Sequence, residues 1–171
     1  MTRVLTHDPD PRLDLVLERL VDVPRELVWK AWTTPEILMR WFTPAPWSTV
    51  ACELDLRPGG IFRTVMRSPE GQEFPNVGCC LEIVDQEKFV FTNTMAPGYR
   101  PILRASGGVD FPFTAIISLE SVGTGTRYTA LAIHADEEAC TRHRTMGFHD
   151  GWGSALDQLV ALAPSIGHLR S

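Results

Sequence analysis

The chain has 171 residues and is 44% apolar and 22% charged, which is one domain's worth of chain and too apolar for a disordered tail. Its formal net charge is −5, and no run of Lys or Arg appears, so a nucleic acid or an anionic membrane surface is not an expected partner. No apolar stretch approaches the roughly 20 residues of a membrane helix, and residues 1–11 are too polar and proline-rich for a secretory signal.

Residues 1–11 read as a flexible leader, and the single domain is expected over 12–164. Leu13, Leu15 and Leu17 alternate with Asp14, Val16 and Glu18, which predicts a half-buried strand running to about residue 23. Pro24 suits the first position of a helix, and Leu27, Val28, Ala31 and Trp32 follow at helical spacing. Thr34-Pro35-Glu36 starts a second short helix that ends near Arg40. Strands are expected over 50–56, 61–67, 74–84, 88–94, 111–121 and 126–134. The turns between them carry Pro58-Gly59-Gly60, Pro69-Glu70-Gly71 and Gly123-Thr124-Gly125. Gly78 marks a bulge or a close backbone approach, and the aperiodic stretch 95–110 reads as a lid. A long helix then follows. Asp136 is its cap, Pro164 its end and Gly147 a place where it could bend, with a flexible tail over 165–171.

Strands joined as hairpins and segregated from one terminal helix define an α+β protein with an antiparallel sheet. That order and several local strings resemble the START-like (SRPBCC) helix-grip superfamily, in the branch of the activator of heat-shock protein 90 ATPase homologues. The strings are Val23-Pro24-Arg25-Glu26-Leu27-Val28-Trp29, Thr33-Thr34-Pro35-Glu36, Trp41-Phe42, Asp55-Leu56-Arg57-Pro58-Gly59-Gly60 and Met146-Gly147-Phe148-His149-Asp150-Gly151-Trp152. The resemblance covers nearly all of residues 13–163. It implies a curved sheet of six to seven strands wrapped around the C-terminal helix, two short helices after the first strand, and a cavity for a hydrophobic small molecule. The superfamily also holds cyclases, lipid carriers and co-chaperone domains. The full eukaryotic activator has a further N-terminal domain for which this chain has no room.

Counted at 100° per residue, Arg142, Thr145, Met146, His149, Trp152 and Leu156 share one helix face, which is polar in its first half. A packed core does not tolerate unpartnered polar groups, so that half is expected to line a wet pocket, with Arg142 and His149 orienting a ligand. The competing reading makes His149 a satisfied core histidine and puts Arg142 on a solvent rim. Trp41, Phe62, Met66, Phe113, Met146 and Trp152 are the expected pocket walls, although strand parity leaves Phe62 and Met66 open to reversal. His149 is the candidate acid or base if the protein is a cyclase- or hydrolase-like enzyme, a class for which the chain carries no signature. Glu53, Asp55 and Glu82 read as a solvated strand face, and Cys52, Cys79, Cys80 and Cys140 as free thiols of a reducing cytoplasm. His134, Glu137, Glu138, Cys140 and His143 match no metal-ligand spacing, and there is neither a nucleophile elbow nor a phosphate loop. No cofactor is expected. The expected partner is a small hydrophobic molecule, with a chaperone or a second copy of the chain left open.

Overall fold

A computed structural model describes residues 8–103 and 112–166. Seven strands form one antiparallel sheet: β1 (Asp14–Val21), β2 (Ser48–Leu54), β3 (Ile61–Arg67), β4 (Glu73–Val84), β5 (Lys88–Thr92), β8 (Thr114–Val122) and β9 (Gly125–Ile133). Their order across the sheet is β1-β9-β8-β5-β4-β3-β2. Each hairpin places its two strands side by side, and β1 closes onto β9 through the register Asp14↔Ile133 to Val21↔Thr126. The chain crosses from β1 to the far edge at β2 through α1 (Arg25–Thr33) and α2 (Pro35–Leu38), the two short helices expected.

Alternation sorts each strand into two faces. Leu15, Leu17, Phe62, Phe89, Phe91, Ile117, Leu119, Tyr128, Ala130 and Ala132 point to the helices and join the main core with Val28, Trp32, Leu38, Trp41, Leu156 and Leu159. Val90, Ile116 and Leu131 form a small second cluster on the opposite face, packed against Val16, Leu81 and Ile133. Register shifts between Thr49 and Ala51 and between Cys80 and Glu82 are the bulges that let a sheet of this width bend. At Gly78 a Cβ would sit 2.5 Å from the carbonyl oxygen of Thr92, so that position admits only glycine. The arrangement is the helix-grip α+β fold.

Three expectations change. The C-terminal helix is two helices, α3 (Glu137–Thr145) and α4 (Phe148–Ile166), separated at Met146 and Gly147. Gly147 has φ +99°, a left-handed conformation that ends α3 and re-aims α4. Pro164 does not end α4, which continues to Ile166, where full burial of the isoleucine holds the last turn despite the missing N–H. Ser165 and Ile166 are therefore helical, while the rest of the expected flexible tail (167–171) and most of the leader (1–7) fall outside the described residues. The first part of the expected lid is ordered. β6 (Met95–Ala96) and β7 (Arg100–Pro101) pair as a two-stranded hairpin, whose Gly98 N–H donates to the Gly59 carbonyl at 2.8 Å. Residues 104–110, which complete that segment, fall outside the described residues, as does residue 111.

Candidate functional site

A cavity of about 370 Å³ lies between the sheet and the helices. Trp32 of α1, Trp41 and Phe42 after α2, Phe62 and Met66 of β3, Phe91 of β5, Phe113 before β8, and Gly151, Trp152 and Ala155 of α4 line it. Thr64, Asn76, Thr92, Asn93, Tyr128 and His143 supply its polar atoms. No Lys, Arg, Asp or Glu occurs among the described residues that line it.

The walls are held by specific bonds. Gln158 of α4 donates its side-chain amide to the carbonyls of Trp41 (2.9 Å) and Thr43 (2.8 Å), while its Oε1 accepts from Ala45 N–H (2.8 Å). That clamp fixes the Trp41–Phe42 corner against α4. Trp41 Nε1–H donates to the Ala31 carbonyl at 3.0 Å, which ties the same corner to α1. Phe113 is fixed by the end of β5 and the residue after it: its N–H donates to Asn93 Oδ1 at 2.9 Å, and its carbonyl accepts from the Thr92 hydroxyl at 3.1 Å. Trp32 packs edge-on to Trp41 and Phe42, with ring centroids 5.1 and 5.6 Å away.

Five of the side chains expected at a pocket line this one: Trp41, Phe62, Met66, Phe113 and Trp152. Phe62, Thr64 and Met66 alternate along β3, so one strand face brings all three to the cavity. Arg142, Met146 and His149 are not there. Arg142 and Met146 border a shallow outer depression with Glu137, Glu138, Thr141 and Thr145, and Met146 is 62% exposed. His149 is exposed, and its Nε2 sits 3.1 Å from the Val16 carbonyl. The cause is the break at Gly147. A single 100° progression over 142–156 holds only for one continuous helix, whereas the buried stripes are Ala139, Cys140 and His143 on α3 and Phe148, Ala155, Leu156, Leu159 and Ala163 on α4.

His143 is the residue the helix count missed. The spacing of apolar Ala139 and Cys140 with His143 was its signal, since the three fall within one turn. His134 Nδ1 lies 2.8 Å from the Leu13 carbonyl, which can only accept, so Nδ1 carries the proton. With that one proton on its ring, His134 presents Nε2 as an acceptor, which receives the Nδ1–H of His143 at 2.8 Å. This chain fixes His143 as the Nδ1–H tautomer with its lone pair on Nε2. Burial, and then the neighbouring His134, push His143 down to about 4, so it is neutral at pH 7. The rings of Phe113 and Phe148 flank it, each with its centroid 5.3 Å away.

Tyr128, 2% exposed, accepts the Trp32 Nε1–H at 3.2 Å. Burial pushes its phenol well above the ordinary tyrosine value and keeps it protonated. Burial likewise pushes Cys52 up to about 11 and Cys80 up to about 12, so neither is a thiolate nucleophile near neutral pH. Among the described residues no group of His, Cys, Asp and Glu could hold a metal ion, and no helix is long and apolar enough to cross a membrane.

The fold and its apolar cavity define a helix-grip protein of the START-like class. The chain belongs to the family described as activator of Hsp90 ATPase homolog 1-like protein, whose profile matches residues 22–163. A solved structure from Nitrosomonas europaea is 43% identical over 94% of this chain and all of that one, with a TM-score of 0.88. An AHSA1-like protein from Aeromonas hydrophila is 19% identical, covering 93% of this chain and 97% of that one, with a TM-score of 0.68. A protein from Mycobacterium smegmatis is 23% identical over 88% and 90%, with a TM-score of 0.72. The last two are likenesses of fold alone. No curated protein matches the chain.

Proposed function

We propose that the protein binds a small, largely apolar molecule between the sheet and α4. The observation that supports this reading is the cavity itself. Its volume of about 370 Å³ falls in the range of small-molecule sites, and its walls are aromatic with a few converging polar atoms. A domain without such a role is expected to close the space with side chains, because interiors pack to crystal-like density. Burial of the ligand's apolar surface drives binding at roughly 25 cal/mol per Å². The four cysteines, all free thiols, fit a reducing cytoplasm. A chaperone-ATPase partner rests on the family name alone.

Trp32, Trp41 and Trp152 line the cavity, so occupancy changes tryptophan emission. The test is a titration with naphthalene, paired with native mass spectrometry of freshly purified protein. A saturable emission change that disappears in a folded Ala155→Phe variant supports the reading. A linear, non-saturating response in the unaltered protein, with no adduct in the mass spectrum, overturns it.

A further inference from the structure

We propose that the ligand is uncharged and carries an acceptor oxygen, of the ketone or ester kind, that receives a hydrogen bond from the Tyr128 hydroxyl. The inference rests on the cavity being a binding site and goes further by naming the chemistry of the occupant. Three observations carry it. First, Tyr128 lines the cavity and is 2% exposed, so its hydroxyl is shielded from bulk solvent and faces the interior. Second, its oxygen is already an acceptor, for Trp32 Nε1–H at 3.2 Å. A phenol has one proton to give, and among the described residues nothing accepts that proton. A buried donor left unmatched is costly, and such groups in native proteins point to an unseen partner. Third, the described lining holds no Lys, Arg, Asp or Glu, and its one histidine sits buried against His134, first burial and then that neighbour keeping it neutral at pH 7. A carboxylate or ammonium placed there loses its hydration and gains no counter-charge. A neutral oxygen both accepts the phenol proton and suits walls whose described residues carry no charge. The Trp32 N–H polarises the phenol, because a hydroxyl that accepts one bond donates the next more strongly.

The test uses three probes of one size, 2-acetylnaphthalene, 2-ethylnaphthalene and 2-naphthoate, titrated against the whole chain and against Tyr128→Phe by tryptophan emission at pH 8. Tyr128→Phe is expected to weaken the ketone about tenfold, as loss of one buried hydrogen bond does, and to leave the hydrocarbon within about twofold. The naphthoate is expected to bind the unaltered protein at least about tenfold more weakly than the ketone, because its charge is desolvated without a partner. Equal losses for ketone and hydrocarbon, or naphthoate binding as tightly as the ketone, overturn the inference while leaving the cavity reading in place. Failure of both neutral probes to bind saturably overturns both. Phenylalanine also removes the acceptor of Trp32, so the unfolding midpoint of the variant is read alongside. If the variant does not fold, the carbonyl stretch of the ketone bound to the unaltered protein decides. A lower frequency than in a hydrocarbon solvent supports the bond to Tyr128, and the hydrocarbon-solvent frequency overturns it.

Discussion

His143 shows how one buried side chain makes stability depend on pH. In an unfolded chain its imidazole titrates near 6.5, and in the folded protein it titrates at about 4. Between those values the unfolded chain binds a proton that the folded chain refuses. Its contribution is therefore complete above pH 6.5 and is lost as pH falls from 6.5 to 4. The loss is on the order of 2 kcal/mol, after allowance for residual solvent screening. His143→Phe keeps the ring contacts with Phe113 and Phe148 and removes the titration. Urea midpoints at pH 4.5 and 7.5 are expected to lie closer together in that variant than in the unaltered protein. Equal spacing in the two would remove His143 from the account. The same residue marks the limit of reading single positions from sequence. Trp41, Phe62, Met66, Phe113 and Trp152 were legible as cavity walls because large apolar side chains must go inward and strand parity admits only two answers. His143 was not, because its neighbour Arg142 differs from it by 100° of helical rotation and only the local phase of α3 decides which turns in.

At the scale of elements, that phase is set by Gly147. Its φ of +99° is open to glycine and strained for residues with a Cβ. Gly147→Ala is expected to cost about 1–2 kcal/mol, although a Cβ there would meet nothing within 4 Å, so the penalty is one of backbone and not of crowding. Thermal unfolding of the variant checks it, and an unchanged midpoint would mean that the α3–α4 corner tolerates another path. The cap at the other end of α3 is of a more ordinary kind. Asp136 accepts the Ala139 N–H at 2.8 Å, and Asp136→Ala is expected to cost about 1 kcal/mol in the same measurement. The strands were legible to within about three residues at either end. Alternation and Pro-Gly turns are local signals, so β3 falls at 61–67 both in the pattern and in the fold. The helix break was legible only as a weak place. Gly147, Gly151 and Gly153 have the same one-letter identity, yet only Gly147 is left-handed, and that choice is made by how α3 and α4 each pack on the rest of the molecule. Pro164 fails as a stop signal for a similar reason, because burial of Ile166 outweighs a local preference.

For the whole molecule, the open question is whether the interior space is retained for use or is merely tolerated, and Gly151 allows the two to be separated. It sits in α4, lines the cavity, and lies where an added Cβ would meet nothing within 4 Å. In a helix interior, glycine costs about 0.5–1 kcal/mol relative to alanine. Gly151→Ala is therefore expected to stabilise the protein by about that amount, since it improves the helix and begins to fill a void. If the space exists for a ligand, Gly151→Leu is expected to go further in one direction and reverse in the other. The larger side chain fills part of the 370 Å³, keeps or raises the unfolding midpoint, and weakens naphthalene binding at least about tenfold by taking its place. Tryptophan-emission titration and thermal unfolding of both variants read the two effects separately. A stabilised Gly151→Leu protein with unchanged affinity would mean that the ligand does not occupy the Trp152 end of the cavity. A strongly destabilised one would mean that the glycine is kept for packing, with α4 already as close to the sheet as it can lie.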